Sequence, residues 1–320
     1  MPAMRSLVLV AFIASTVRAE PAVLLFPVVG TPASVTLSGR VLKHAPSRGS
    51  STFERNLRRL TSSNWDSANV EVRYAGRAVK TVSGADGNFN VTLSGTEKPF
   101  AVGLSTAEAS AGGVVGIATV NIVSRDAPFF VVSDLDDTLS VTNVLEGSKL
   151  VKAALLEDAT TQPAVPGMSG FYECLREDKN ERPGFALVSG SPAQYLDRVK
   201  QFLVLHRFPL GFGVYLRDLG PSTLSNYKQP VIRALLKELP NQVVLVGDSG
   251  EKDPEVYAQM RSEFPDRVKA IYIHDVGRSE NKERFKNMVL FKEGKDAAMD
   301  AVARGLVTAE CVNQVFAEKK

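Results

Sequence analysis

From Ser34 to Val123 apolar and polar positions alternate in short runs. Val35-Thr36-Leu37-Ser38-Gly39-Arg40-Val41, Val70-Glu71-Val72-Arg73-Tyr74, Ala78 to Val82, and Asn88-Phe89-Asn90-Val91-Thr92-Leu93 each place every second side chain on one face, as in strands half-buried against a core. Gly84-Ala85-Asp86-Gly87 marks a tight turn between two of them, and Val114 to Ile122 supplies a last strand. Short strands at this spacing predict a small all-β sandwich. It contains no cluster of catalytic residue types.

Beyond Asp126 the pattern changes. Phe129-Phe130-Val131-Val132, Gly184-Phe185-Ala186-Leu187-Val188, Gln242-Val243-Val244-Leu245-Val246 and Ala270-Ile271-Tyr272-Ile273 are apolar without alternation, which is how strands buried on both faces of a parallel sheet read. Phe212 to Leu216 adds a shorter one. Helical spacing separates them: Val144 to Ala159, Pro166-Gly167-Met168 through Phe171 and Leu175, Ala193 to Leu205, Pro230 to Leu239, and Asp296 to Ala317. The alternation predicts an α/β fold, a Rossmann-like parallel sheet with helices on both faces. The expected organisation is a leader at 1–19, a β-sandwich domain at 20–125 and an α/β domain at 126–320.

Chemistry enters at the strand ends. Ser133-Asp134-Leu135-Asp136-Asp137-Thr138 follows the first buried strand, and carboxylates so close together cannot all stay charged in a partly buried site without a cation. Residues two apart in an extended segment point the same way, so Asp134 and Asp136 can converge on one substrate atom. Asp134 suits in-line attack on phosphorus and Asp136 protonation of the leaving oxygen. Thr138 either holds the turn or bonds the phosphate. Alone, the pentapeptide also reads as a polar turn. Two other strands, however, end in Ser189 and in Asp248 with Asp253, and Lys228 precedes a helix. A carboxylate nucleophile, a hydroxyl, a lysine and distant carboxylates for Mg²⁺ make a kit for phosphoryl transfer. The all-oxygen ligand set is what selects Mg²⁺.

This set resembles the haloacid dehalogenase superfamily, whose phosphatases carry D-x-D-x-T, a Ser or Thr, a Lys, and a G-D-x-x-x-x-D segment. It is more similar still to the phosphatidate phosphatases related to the fungal actin-patch protein. The match rests on Asp134-Leu135-Asp136-Asp137-Thr138 with Thr142-Asn143-Val144, Pro166-Gly167-Met168, Val188-Ser189-Gly190-Ser191-Pro192, Pro209-Leu210-Gly211, Leu216-Arg217 and Gly247-Asp248 through Val256-Tyr257. The resemblance implies a haloacid dehalogenase-like fold and a phosphatidate phosphatase-like phosphoric monoester hydrolase. It implies that Asp134 is the nucleophile, Asp136 the general acid and base, and Ser189 and Lys228 the phosphate binders, with Thr138 in the catalytic set. Mg²⁺ is implied on Asp134, Asp136 through its carbonyl, and Asp248, with Asp253 just behind. The sequence departs at Gly190 and Ala193, where the pattern has Asn and an aromatic, and at His274, where it has Arg. His274 reads either as a substrate contact or as a strand cap, and Arg217 as a partner of phosphate or of a carboxylate of the fold.

The implied substrate is phosphatidate or a related phospholipid; soluble nucleotides or sugar phosphates are the alternative. A net charge of +3 and a pI near 8.8 allow anionic substrates or membrane surfaces without arguing for nucleic acid. Arg5, the apolar run Leu7 to Ala14 and Val17-Arg18-Ala19 have the three parts of a secretory signal, so the expected location is secreted or periplasmic. Cys174 and Cys311 are the only cysteines, and both one disulfide and two separate buried thiols are open. Between Val41 and Val70 a basic insertion at 43–59, with Arg48, Arg55, Arg58 and Arg59 and nearby Trp65, reads either as a peripheral membrane contact or as a loop helix packed on the sandwich.

Overall fold

The computed structural model describes residues 20–45, 63–142, 160–176, 182–218, 226–277 and 280–317. The leader, the insertion residues from 46 to 59 and the expected helix Val144 to Ala159 lie outside the described residues. Among the described residues no helix is long and apolar enough to cross a membrane.

The first part of the chain is built of β1 (Ala22–Leu25), β2 (Val28–Gly30), β3 (Ser34–Leu42), β4 (Asn69–Tyr74), β5 (Arg77–Val82), β6 (Asn88–Ser94), β7 (Gly103–Ala111) and β8 (Val114–Ile122). They form a sheet of order β1-β3-β6 and a second of order β2-β8-β7-β4-β5. All pairs are antiparallel except β2 with β8. The alternation does what its period demands: in β3, Val35 and Leu37 are fully buried while Thr36 and Ser38 stay half-buried. Both sheets share one core, in which Val35, Leu37 and Phe89 meet Val72, Ala107 and Val120. Strand β7 has a weak sequence signal because its inner face is Ala107, Ala109 and Ala111, and alanine is a poor strand former. Trp65 also packs against this core, its ring so close over Gly112 that a Cβ there would lie 2.5 Å from it.

The second part holds β9 (Phe130–Ser133), α1 (Met168–Arg176), β10 (Phe185–Pro192), α2 (Leu196–Leu205) and β11 (Phe212–Arg217). It continues through α3 (Lys228–Glu238), β12 (Val243–Asp248), α4 (Asp253–Glu263), β13 (Val268–His274), β14 (Val289–Phe291), α5 (Gly294–Ala303) and α6 (Ala309–Val315). The six strands are parallel throughout, in the order β11-β10-β9-β12-β13-β14. Strand β9 is covered on both faces. Val131 faces Met168, Phe171, Leu196 and Ala297, and Val132 faces Ile232, Leu235 and Tyr257. Each such side chain contributes about 1.5–3 kcal/mol on burial, so the strand has no polar side chain until its end. Chain order reverses between β9 and β12, and such a switch point opens a crevice at the carboxyl ends of the strands.

One expectation is corrected near the C-terminus. The single helix from Asp296 to Ala317 is two, because Gly305 turns the chain at φ +66° and Thr308 starts α6 by accepting from the Cys311 N–H at 3.2 Å. The polar stretch beyond Gly277 contains β14, which pairs with β13. Cys174 and Cys311 form a disulfide joining α1 to α6. The sandwich closes the outer edge of the parallel sheet: the Val214 N–H donates to the Pro27 carbonyl at 2.7 Å and the Val29 N–H to the Tyr215 hydroxyl at 3.3 Å. That contact covers part of the β11 edge against pairing with another chain.

Candidate active site

The acidic motif leaves β9 at the switch point and wraps over a single carbonyl. Leu135 O accepts from the N–H groups of Leu139 and Ser140 at 2.9 and 3.0 Å. Asp137 makes the turn with φ +55°, and its carboxylate accepts from the Thr142 N–H at 2.8 Å, the local bonding that lets Asp adopt this region. Asp134 is thereby fixed to the ladder, its N–H on the Val246 carbonyl at 2.9 Å. Behind it Tyr172 donates to Ser133 Oγ, which donates to the Asp134 carbonyl at 2.7 Å.

The Asp134 side chain is buried. Its Oδ1 lies 3.0 Å from Lys228 Nζ, and its Oδ2 has no hydrogen-bond partner among the described residues. Burial pushes the Asp134 carboxyl well above the ordinary range, against the pull of Lys228. Lys228 lies in the first turn of α3 and reaches Asp253 as well as Asp134. Burial alone would lower it, but Asp134, Asp253 and Glu251 outweigh that and hold it raised. It stays an ammonium ion.

Asp248 ends β12. Its Oδ1 accepts from the N–H groups of Gly250 and Glu251 at 2.6 and 3.0 Å, while its buried Oδ2 has no partner among the described residues. Burial raises Asp248, and Asp253 adds to the effect. Asp253 opens α4 and accepts from the Asp248 N–H at 3.2 Å. Its approach requires a glycine, since a Cβ at Gly247 would meet Asp253 Oδ2 at 2.4 Å.

Carboxylate oxygens of Asp134, Asp248 and Glu251 lie within 4.8 Å of one another. Two of these carboxylates carry buried oxygens without partners among the described residues, and all offer hard oxygen donors, so the set fits a divalent cation. Glu251 is the member that sequence reasoning did not single out; its signal was only its position three residues after Asp248. Of the four expected metal residues, Asp134 and Asp248 belong to this group; Asp136, expected through its backbone carbonyl, turns its carboxylate the other way, and Asp253, expected just behind, has one oxygen on Lys228 and the other on the Asp248 N–H. Asp136 Oδ2 accepts from Ser191 Oγ at 2.9 Å and from Ser189 Oγ at 3.4 Å. Burial, followed by the charge of Glu251, pushes Asp136 up to about 6. Ser189 is fully buried and accepts from the Ser191 N–H at 3.0 Å. Thr138 is buried too, with its Oγ1 unpartnered among the described residues. The structure therefore brings Asp134, Asp136, Ser189, Lys228, Asp248 and Asp253 to one end of the sheet.

His274 and Arg217 border the site as holders of backbone. The His274 ring lies between the carbonyls of Asp137 and Lys292, at 2.5 and 3.1 Å, and the Arg217 Nε donates to the Gly190 carbonyl at 2.9 Å.

The family model for the catalytic domain of phosphatidate phosphatase APP1 matches residues 129–275. An uncharacterised protein of Schizosaccharomyces pombe is 31% identical over 155 residues, which is 46% of this chain and 25% of that protein. The phosphatidate phosphatase APP1 of Saccharomyces cerevisiae is 30% identical over 151 residues, 44% of this chain and 25% of that protein. The matched segment is about a quarter of the length of each of these relatives. Among solved structures, a chain of the Pnkp1/Rnl/Hen1 complex is 17% identical, with 48% of this chain and 47% of that chain covered at a TM-score of 0.36, a likeness too loose to assign a fold. The matched segment begins at β9 and ends just past β13, so it contains every strand end that carries the acidic site. Residues 129–275 are thus similar in sequence to the catalytic domain of the phosphatidate phosphatase APP1 family.

Proposed function

We propose that the chain is a Mg²⁺-dependent phosphatase of haloacid dehalogenase-like fold that hydrolyses phosphatidate or a related phospholipid through an aspartyl-phosphate. The observation that carries the reading is Asp134: a buried carboxylate at the switch point, with one oxygen on Lys228 and the other without a partner among the described residues. In the first step an Asp134 carboxylate oxygen bonds to phosphorus while the bond from phosphorus to the alcohol oxygen breaks. Asp136, raised to about 6, gives that oxygen its proton. In the second step Asp136, now a carboxylate, takes a proton from water as the water oxygen bonds to phosphorus, and the Asp134 oxygen is released with its electron pair. Lys228 supplies positive charge beside the transferring group, and Ser189 and Thr138 offer hydroxyls to its oxygens. Mg²⁺ held by Asp134, Asp248 and Glu251 would neutralise charge on phosphate and nucleophile together. The leader-like 1–19 segment supports export, and a phospholipid substrate supports contact with a membrane surface.

The test is phosphate release from phosphatidate in mixed micelles. Chelation by EDTA should stop it, Mg²⁺ should restore it, and Ca²⁺ should substitute poorly because its bonds are longer and its geometry looser. Acid-quenched protein should carry label from the phosphate of the substrate, and Asp134→Asn protein should not. Turnover without that label sinks the covalent scheme.

A further inference from the structure

The two sides of the phosphoryl site are built differently. Asp134, Asp248 and Glu251 gather toward β12, whereas the Asp136 carboxylate is held by Ser189 and Ser191 of β10. A group that protonates the leaving oxygen must sit beside it, so on the phosphatase reading the departing alcohol would lie on the β10 side of the site.

On that side is a cavity of about 130 Å³ between β11 and the sandwich. Phe26, Asn88 and Asn90 line it from the sandwich and Tyr215, Tyr227 and Asp218 from the other side, while the Phe89 side chain turns into the sandwich core. Its lining adjoins the phosphoryl site at three places in the chain. Ala193 lies two residues after Ser191, Tyr227 directly precedes Lys228, and Leu216 and Asp218 flank Arg217. The far wall is anchored to the near one, since Asn88 donates to Asp218 at 2.9 Å and Arg40 pairs with Asp218 at 3.5 Å.

Size and chemistry select the occupant. A cavity of about 150 Å³ takes a benzene ring, so this one holds roughly six heavy atoms. That excludes a long acyl chain. Aromatic walls suit C–H groups, and the amides and carboxylate suit hydroxyl or ester oxygens, the usual division of labour in a small-molecule pocket. We propose that this cavity is the alcohol subsite of the phosphatase reading above, and that it takes the three-carbon glycerol unit of a glycerol 3-phosphate ester, free or acylated. The sandwich is then one wall of the active site and sets its specificity.

Asn90 is exposed and lies directly across from Ser38 on the paired strands β6 and β3, so a large side chain at either position fills the cavity from the surface without entering a core. Asn90→Trp and Ser38→Phe are measured with glycerol 3-phosphate, dioctanoyl phosphatidate and ethyl phosphate, and thermal unfolding checks that each variant is folded. The ratio of kcat/KM for glycerol 3-phosphate to that for ethyl phosphate should fall about tenfold or more. The same fall for the lipid shows that both sources use the subsite; a fall confined to glycerol 3-phosphate identifies the free ester as its occupant. A ratio within about twofold of wild type, or a fall confined to the lipid, overturns the assignment. Calorimetry of glycerol 3-phosphate on Asp134→Asn protein, with and without Asn90→Trp, separates the two claims. If wild type turns over none of the three esters but Asn90→Trp still weakens binding about tenfold, the phosphatase reading fails and the subsite stands. Turnover with no loss of binding sinks the subsite alone.

Discussion

The sandwich and the carboxyl edge of the parallel sheet treat charge in opposite ways. Between its two sheets the sandwich buries Val35, Leu37, Val72, Phe89 and Val120, and its carboxylates Glu71 and Glu108 stay on the outside. Its one buried cation among the described residues, Arg40, has Asn64 and Asp218 as partners. The edge of the parallel sheet instead buries Asp134, Asp248 and Asp253 around a single ammonium, Lys228. Burying an ion costs several kcal/mol unless pairing offsets it, and one cation cannot pair with three carboxylates. The edge therefore concentrates charge at the expense of stability, while the sandwich is arranged for stability; on the proposed reading the edge carries the chemistry and the sandwich enters it only through its rim. Substitutions on the two sides should separate accordingly.

The largest expected effect is at Asp134, the proposed nucleophile. Asp134→Asn should lower turnover by about 10⁴-fold or more, the scale seen when a covalent nucleophile is removed. Its unfolding midpoint should not fall. Loss of fold together with activity would make Asp134 a structural residue and erase the contrast.

Asp136→Asn comes next, with a loss of about 10²- to 10⁴-fold, the share of general acid catalysis. Asp136 must carry its proton in the first step, so kcat/KM in wild type should decline as pH rises through about 6. The variant should lack that limb. A limb that persists in Asp136→Asn assigns the proton to another group.

A direct contrast of the two regions is Lys228→Met against Leu37→Ala. Removing the one cation leaves buried carboxylates uncompensated, at about 3–5 kcal/mol, and the cost should grow between pH 5 and pH 8 because the carboxylates can escape by protonation only when acid is available. Leu37 is fully buried in the sandwich, where truncation costs about 2–5 kcal/mol with no dependence on pH. Urea unfolding at the two pH values measures both. Parallel pH behaviour would show that Lys228 is held by packing rather than by charge.

Much of this was legible in the sequence, for reasons that differ by region. Strands β9, β10, β12 and β13 were readable because burial on both faces forces uninterrupted apolar runs, and β3 and β6 because one buried face forces alternation. Strand β7 was hidden by its alanines, and β14 by its three-residue length within a polar stretch. Asp134, Asp136, Ser189 and Asp248 were readable because each directly follows or ends an apolar strand, so one-dimensional spacing already fixed their place. Glu251 and Ser191 were not singled out, since their roles depend on which way a loop turns after the strand. Asp253, read as standing just behind the cation, bridges Lys228 and the Asp248 N–H in the fold. The seam cavity has no linear signature at all, being assembled from residues as far apart as Phe26 and Tyr227.

The smallest effect is the most discriminating, and it concerns Asp248. Burial raises its folded-state pKa above the ordinary carboxylate value near 4, so its charged form is disfavoured in the folded protein relative to the unfolded one. The penalty is full above the raised pKa and disappears as pH falls below the ordinary range. Asn can still accept the Gly250 and Glu251 N–H groups that Asp248 Oδ1 accepts now. In the presence of EDTA at pH 7, Asp248→Asn should therefore be more stable than wild type by about 1–3 kcal/mol, a rise of a few degrees in Tm, and the gap should close by pH 4. Added Mg²⁺ should close it at pH 7 from the other direction, by binding folded wild type and leaving the variant unmoved. Activity should be lost in the variant throughout, the expected trade between stability and function at such a site. A wild type that remains the more stable protein in EDTA would mean that the Asp248 carboxylate is held for the fold, and the opposition between the sandwich and the catalytic edge would narrow to Asp134 alone.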